Sequence, residues 1–210
     1  MPVHPECIAA AQSTARLLES LGHRIEPAHP AAIEDPEVMQ AFATIIGCSV
    51  ARAVEAWGTK TGRRIGPADV EAGTWAVSEL ARQIPTLEYL RALECAHAQT
   101  RRIAAWWSDG FDLLLSPTAA EPPPPLGSFA TTADNALAGV LRAAPFSTFT
   151  APFNITGQPA ISLPLHWSAP HLPIGTQLVA AYGREDLLLR VAAQLEAAQP
   201  WAQRRPAIHA

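Results

Sequence analysis

The sequence predicts an α/β fold in which helices pack on a mixed β-sheet. In the first 110 of its 210 residues, apolar side chains recur at three- and four-residue spacing, which is typical of amphipathic helices. After residue 110, short apolar runs of strand length alternate with helical patterns. This alternation favours a sheet that is packed between helices.

The composition is that of a globular protein with a core of its own. Hydrophobic residues make up 49% of the chain and charged residues 16%, and the formal net charge is −4. A chain of this length buries roughly 70% of the surface that its unfolded form exposes, so it needs no disulfide or metal to fold. The basic residues are scattered and form no stripe, so we expect no nucleic-acid partner.

The sequence favours a cytoplasmic, reduced protein with no membrane partner. Its three cysteines are far apart and lack C-x-x-C spacing, so we expect buried free thiols. The opening residues, MPVHPECIAA, lack the basic and apolar regions of a secretory signal. Residues 143–183 contain no Asp, Glu, Lys or Arg, but six prolines interrupt them, which excludes a membrane-spanning helix. Their neutrality indicates backbone that is buried deep within a protein.

The first half is predicted to be helical, with capping residues at the helix ends. Gly22 ends the first helix, Asp35 begins the second and Thr86 begins the longest. Residues 23–30 contain two prolines and are predicted as an edge strand, while residues 58–66 contain three glycines and are predicted as a loop. The predicted helices extend from Pro5 to Leu21, from Asp35 to about Gly58, from Pro67 to Ile84 and from Thr86 to about Gly110.

The second half is predicted to hold the strands. The apolar run DLLLSP is predicted as a strand buried on both faces, followed by a proline-rich loop and a helix around residues 134–142. AISLPL and IGTQLVAAY are predicted as two strands joined by the loop HWSAPHLP. A final helix begins at Glu185, whose charge suits a helix N-terminus, and Leu188, Val191, Ala192 and Leu195 give it one apolar face.

We treat residues 1–210 as one partial domain. Its three segments are a mainly helical part over 1–110, the buried strands and final helix over 111–200, and a loose tail over 201–210.

The chain lacks the motifs of a self-contained active site. Its seven histidines show neither H-x-x-x-H nor H-E-x-x-H spacing, so we expect no metal. The sequence contains no G-x-S-x-G and no glycine-rich phosphate loop, so we expect neither a serine-hydrolase triad of the usual kind nor a nucleotide, and no cofactor.

A polar segment before the AISLPL strand is the best candidate for ligand recognition. Thr150, Asn154, Thr156 and Gln158 lie in a predicted loop that leads into that strand. Amide-bearing side chains at the mouth of an apolar pocket suit a neutral polar group such as an amide. The alternative is that these groups satisfy buried backbone.

The same region resembles a known family. The segments PFNITGQPAISLP and LPIGTQL, together with DLLLSPTAAEPPPPLG and the opening VHPECIAAAQSTARLLESLGHRIEP, resemble the C-terminal half of the amidase signature family. Within that family the resemblance is greatest to bacterial amidases that include hydrolases of cyclic nylon oligomers. It covers nearly the whole chain, more loosely in the helical first half.

The resemblance implies a hydrolase that cleaves carboxamide C–N bonds through an acyl-enzyme. Members use a Ser–Ser–Lys triad, which lies in the other half of the family's chain. No Ser-Ser pair occurs here, and the single lysine, Lys60, lies in a polar segment, so no catalytic residue is expected. The chain is therefore interpreted as a truncated or split amidase that is inactive alone, with an incomplete sheet.

The resemblance also implies a substrate-binding set. Ser116 and Pro117 are expected in the loop after the buried strand, directly before Thr118, which is the first member of that set. Members that take ammonia from glutamine tend to carry an aspartate where this chain has Ser147, so a small or apolar amide is favoured over a tRNA-dependent role. The implied substrate-binding residues are Thr118, Phe146, Phe149, Phe153, Asn154, Thr156 and Gln158.

Two further hypotheses remain at this point. The chain could be a non-catalytic module for small-molecule binding or assembly, or a self-sufficient enzyme that uses His166 with Ser162 or Ser168. The expected partners are a small amide substrate and either a separate N-terminal amidase half or a second copy of the chain.

Overall fold

A computed structural model describes residues 1–132, 134–168 and 172–205, which form two compact units. The first, the sheet unit, contains Met1–Pro30, Ala104–Pro123 and the residues from Pro145 onward. The second, the helical unit, contains Ala31–Ile103 and Pro124–Ala144.

Helices dominate the secondary structure of the described residues, in which three strands follow the long helical first half. In chain order the helices are α1 (Pro5–Ser20), α2 (Pro36–Thr61), α3 (Ala72–Ala81), α4 (Thr86–Ala105), α5 (Ala138–Arg142), α6 (Ala144–Ser147), α7 (Ala151–Thr156) and α8 (Glu185–Ala198), with 3-10 turns at Ala31–Glu34 and Trp106–Asp109. The strands are β1 (Leu113–Pro117), β2 (Ala160–Trp167) and β3 (Pro173–Ala180).

The three strands form one antiparallel sheet in the order β1-β3-β2. Val179 of β3 lies opposite Leu114 of β1 and opposite Ala160 of β2, which fixes the register on both sides. The β2–β3 register shifts by one residue between Leu163 and His166, at a bulge that contains Pro164. A mixed sheet is predicted from the sequence, and the pairing among the described residues is antiparallel throughout.

One face of the sheet packs against α1 and α8 and forms the core of the sheet unit. Thr14 of α1 and Thr176 of β3 join their hydroxyls at 3.2 Å within this core. The predicted apolar face of α8 is confirmed, because all four of its residues are buried. The buried members of the core are Leu18, Leu163, Leu165, Leu178, Ala180, Leu188, Val191, Ala192 and Leu195.

The predicted first helix is confirmed, but the edge strand predicted after it is wrong. The His4 side chain accepts a hydrogen bond from the Glu6 N–H at 3.2 Å at the start of α1, and Gly22 follows its end. Residues 23–30 form no strand. Pro27 and Pro30 have no N–H to give to a ladder, and no described strand pairs with the segment.

Helix α2 begins at its predicted cap but ends later than predicted. It continues past Gly58 to Thr61, and Gly62 caps it at φ 67°. Lys60 therefore lies in its last turn rather than in a loop, with Nζ 4.8 Å from the centre of the Trp57 ring. By length and composition alone, α2 is long and apolar enough to cross a membrane, as core helices of globular proteins also can be. In this structure α2 buries one face, at helical spacing. Those buried residues are Val38, Ala41, Thr44, Gly47, Ala51 and Val54.

Other elements differ from prediction in length or type. Helix α3 begins at Ala72, not at Pro67, and the helix expected around residues 134–142 is shortened to α5. Part of the polar segment before β2 is helical, as α7, where a loop is predicted. Ser116 and Pro117 lie within β1 and not in the loop that follows it.

The C-terminal segment contacts the sheet unit. Trp201 packs against the core of the sheet unit, and the Arg204 guanidinium lies 4.1 Å from the centre of the Trp167 ring. The rest of the predicted tail, residues 206–210, and residues 169–171 of the predicted loop lie outside the described residues. All three cysteines are free, and burial raises the pKa of the Cys7 thiol.

Asp35 links α2 to α4 in the helical unit. Its carboxylate accepts hydrogen bonds from the Glu37 backbone N–H at 3.1 Å, from Gln99 Nε2 at 2.7 Å and from Arg102 Nη1 at 2.7 Å. The Arg102 guanidinium, with the Glu37 N–H, holds the pKa of this carboxyl below its usual range. One carboxylate thus caps one helix and anchors a second.

We predict that Asp35→Asn lowers the thermal unfolding midpoint at neutral pH and that this loss disappears in acid. A carboxyl whose pKa folding lowers adds stability above its unfolded pKa, and the contribution is lost as the pH falls through the folded pKa. Unfolding midpoints of both proteins, measured from neutral to strongly acidic pH, check this. Glu37→Gln is the control for loss of a negative charge in the same turn, because the Glu37 side chain is not among the hydrogen-bond partners of Asp35. A deficit for Asp35→Asn that stays constant across the range would contradict the assignment.

Candidate active site

The face of the sheet opposite α1 and α8 carries polar side chains at alternate positions. Side chains alternate between the two faces of a strand, so the neighbours of the core residues point away from these helices. We call this set the polar face. It consists of Ser116, Thr118, Ser162, Gly175 and Gln177.

Two hydroxyls meet across the central strand at Gly175. Thr118 directly follows β1 and Ser162 lies in β2, so the two residues come from opposite sides of β3. Their hydroxyl oxygens, Thr118 Oγ1 and Ser162 Oγ, nevertheless lie 2.6 Å apart. A Cβ at Gly175 would lie 2.6 Å from the Ser162 oxygen and 2.8 Å from the Thr118 oxygen. Glycine is therefore required for this contact, because any side chain would occupy the space between the hydroxyls.

Gln177 connects the polar face to the segment before α7. Its side chain is buried, and Nε2 donates to the Phe149 carbonyl at 2.9 Å and to Ser116 Oγ at 3.3 Å. Ser116 Oγ in turn donates to the Pro117 carbonyl at 3.0 Å. Each of these polar groups has a partner, so the network holds the Phe149 backbone in a fixed position over the sheet.

Two buried acceptors within the polar segment have no partner among the described residues. Thr156 is 6% exposed and Gln158 is 7% exposed, yet Thr156 Oγ1 and Gln158 Oε1 accept and donate nothing there. Gly157, between them, ends α7 at φ 68°. A buried polar atom without a hydrogen bond costs about 1–3 kcal/mol, so both atoms can gain from a bound polar group.

The structure brings some of the implied substrate-binding residues together and leaves others apart. Thr118 belongs to the polar face, and Phe149 reaches it through its carbonyl rather than through its ring. Phe153 is buried in α7, whereas Asn154 of the same helix is exposed. Phe146 lies half-buried in α6.

Gln177 is a site residue that sequence reasoning missed, and Ser162 was considered only as a nucleophile. The available signal is the period of two, because glycine and glutamine stand two positions apart in IGTQLVAAY and therefore share one face of the strand. Their partners on β1 and β2 could be named only once the register was known.

The hypothesis of a histidine-activated serine finds no support in this geometry. Among the described residues, His166 makes no hydrogen bond to either serine proposed with it. Ser162 Oγ bonds to Thr118, and Ser168 Oγ accepts from the Leu172 N–H at 3.1 Å. His171, in the same predicted loop, lies outside the described residues.

The helical unit contains a hollow of about 540 Å³ between α2 and α3. Its floor includes Trp75 and Ile65. In the lining, Arg82 pairs with Glu55 at 2.6 Å and with Glu79 at 3.3 Å. The lining contains two further arginines, Arg63 and Arg64, so it carries charges of both signs.

Comparison with known proteins agrees with the resemblance in the sequence. A protein-family model described as Amidase matches residues 1–189. The 6-aminohexanoate-cyclic-dimer hydrolase of Paenarthrobacter ureafaciens is 40% identical over 207 residues, which cover 96% of this chain and 42% of that protein.

Solved structures agree at the level of the fold. A structure of 6-aminohexanoate cyclic dimer hydrolase matches with a TM-score of 0.91 at 40% identity, covering 98% of this chain and 44% of the other. A bacterial aryl acylamidase of the amidase signature family matches with a TM-score of 0.75 at 20% identity, which shows a shared fold alone. The chain thus spans less than half the length of the relatives that it matches.

We predict that Gly175→Ala destabilises the protein by about 1 kcal/mol, because it separates the Thr118 and Ser162 hydroxyls. The midpoint of urea unfolding measures this. Adding Ser162→Ala removes the nearer oxygen and should recover part of the loss. In the control, Gly66→Ala, the added Cβ lies 3.8 Å from its nearest neighbour, an Asp69 oxygen. Equal losses for the two glycine substitutions would show that contact at the polar face is not the cause.

Proposed function

The chain belongs to the amidase family, and on that premise we propose that it is the substrate-binding C-terminal portion of a hydrolase of carboxamide C–N bonds. The observation that carries the proposal is the match to the cyclic-dimer hydrolase along nearly the whole chain. In the proposed reaction, water cleaves the C–N bond to give a carboxylic acid and an amine.

The reacting groups are proposed to come from the part of the amidase fold outside these 210 residues. The sequence contains no Ser-Ser pair. Its single lysine is exposed in the last turn of α2, with its ammonium over the Trp57 ring and no serine pair beside it. The contribution of this chain is then to bind the amide and orient it.

Charge supports a neutral amide as the substrate. The segment from Ala143 to Gly183, which supplies β2, β3 and α7, has no Asp, Glu, Lys or Arg. A substrate with a charged group near these residues would be desolvated with no opposite charge from the segment. A carboxamide, in contrast, needs only hydrogen bonds.

Two unpartnered acceptors support the same substrate class. Gln158 Oε1 can accept from an amide N–H, and Thr156 can either accept from that N–H or donate to the amide carbonyl. The relative's name states that it acts on the cyclic dimer of 6-aminohexanoate. We therefore take an aliphatic amide, cyclic or linear, as the substrate.

We predict that the 210-residue chain alone does not hydrolyse amides. Hydrolysis should occur in the joined protein, by which we mean this chain co-expressed with the unmatched remainder of the Paenarthrobacter ureafaciens hydrolase. Release of free amine from the 6-aminohexanoate cyclic dimer measures turnover. Lys60→Ala should be as active as wild type, because Lys60 is not the base. Turnover by the purified chain in isolation would refute the proposal that the reacting groups lie outside these 210 residues. Tight amide binding without turnover in the joined protein would instead favour a non-catalytic binding module.

We predict that Gln158→Leu, in the joined protein, raises KM for the amide roughly threefold to tenfold, the equivalent of one hydrogen bond. It should not lower the unfolding midpoint of the chain, because leucine removes a buried acceptor that has no partner. Steady-state kinetics and thermal unfolding give the two measurements. Gln40→Leu, on the exposed side of α2, is the control and should change neither. A lower midpoint with unchanged KM would mean that Gln158 is structural.

A further inference from the structure

The hollow between α2 and α3 is a second concave site, and it lies wholly within the helical unit. Its volume of about 540 Å³ falls within the range of roughly 300–1,000 Å³ that is typical of small-molecule sites. It is partly open to solvent, and none of the residues of the polar face lines it. The proposed amide-binding role therefore leaves the hollow without a function.

The chain forms one wall of the hollow by folding back over Gly58 after the end of α2. A Cβ at Gly58 would lie 3.2 Å from the Arg63 carbonyl oxygen and 3.8 Å from the Ile65 side chain. Asp69 holds the returning segment in place, because its carboxylate accepts from Arg63 Nη1 at 2.6 Å and from the Gly66 N–H at 2.8 Å. This wall is thus fixed by the protein itself.

Apolar side chains form the floor of the hollow. Val54 of α2 is buried, and Ile65 and Trp75 are partly buried. The indole of Trp75 offers a broad apolar surface to a ligand. A floor of this kind favours a ligand with an aliphatic body.

Two carboxylates share a single guanidinium in the lining. Arg82 donates through Nη1 to Glu55 at 2.6 Å and pairs through Nε with Glu79 at 3.3 Å. Two negative charges against one positive charge leave an excess of one negative charge here. Ionised carboxylates accept several hydrogen bonds each, so Glu55 and Glu79 retain acceptor sites for a ligand. This part of the lining suits an ammonium group.

Arg64 is a lining cation without an acidic partner. The neighbouring Arg63 is paired with Asp69, whereas the exposed Arg64 side chain makes no hydrogen bond or ion pair among the described residues. Its guanidinium has the fork geometry that matches a carboxylate. The segment that carries Arg64 crosses α2 at Gly58, roughly one helical turn beyond Glu55. The free positive charge and the excess negative charge therefore belong to different parts of the lining.

We propose that the hollow binds an ω-amino acid, in which a methylene chain separates an ammonium from a carboxylate. The carboxylate pairs with Arg64, the ammonium lies at Glu55 and Glu79, and the methylenes cover Trp75. The inference rests on the proposed function for the identity of this ligand. Hydrolysis of a cyclic aliphatic amide adds water across the C–N bond, so the acyl carbon becomes a carboxylate and the nitrogen an ammonium of one molecule. The hollow is then a site for the product class.

An NMR titration of the 210-residue chain alone tests the proposal. The probe is 6-aminohexanoate, and the signal is the indole N–H of Trp75, identified by its loss in Trp75→Phe. Hexanoate and hexylamine are matched probes that each carry one of the two charges. We expect 6-aminohexanoate to shift the Trp75 signal and to bind roughly twofold to fivefold more tightly than either, the equivalent of one exposed ion pair.

Charge-removing variants assign each end of the ligand. Arg64→Gln should weaken 6-aminohexanoate and hexanoate but leave hexylamine unchanged, and Glu79→Gln should weaken 6-aminohexanoate and hexylamine but leave hexanoate unchanged. Arg101→Gln, exposed on α4 and outside the lining, is the control and should change none of the three affinities. Exposed charges contribute little to stability, so each variant should fold, which thermal unfolding checks.

The outcomes separate the hollow from the proposed function. No shift of the Trp75 signal, equal affinities for the three probes, or an equal loss in Arg101→Gln would overturn the site. Hexanoate binding as tightly as 6-aminohexanoate would refute the acidic end and reduce the hollow to a carboxylate site. An active joined protein whose chain does not bind 6-aminohexanoate refutes the hollow alone. Binding at Trp75 by a chain whose joined protein never hydrolyses amides refutes the function and supports the site.

Discussion

The sheet unit depends on a constraint at β3, which pairs on both edges and is buried on both faces. Of its eight residues, only Pro173 and Gly175 are not buried. An unpaired charge on such a strand would cost several kcal/mol, which explains why the sequence around it is neutral. The same constraint divides the unit into two environments. Thr176, Leu178 and Ala180 face the helices, whereas Gly175 and Gln177 organise the polar face.

Much of the fold is encoded locally and could be predicted from the sequence. Helix α1, the beginning of α2 and the apolar face of α8 follow from periodicity and capping residues, because these signals act over a few positions. The errors arise where contacts between residues that are distant in the sequence determine the local structure. Gly58 does not end α2. The glycine is there because the chain folds back on the helix, and a Cβ at this position would lie 3.2 Å from the Arg63 carbonyl oxygen. A strand over residues 23–30 would require a partner strand that no local pattern can supply.

The candidate site was predictable only in part, for a related reason. Thr118 was indicated by its place in a family motif, but its partner Ser162 lies 44 residues away, and only strand order brings them together. The role of Gln177 depends on the Phe149 carbonyl, and the sequence does not reveal which backbone atoms a side chain will reach. Residue types identify a polar segment, whereas register determines which of its groups remain free to bind.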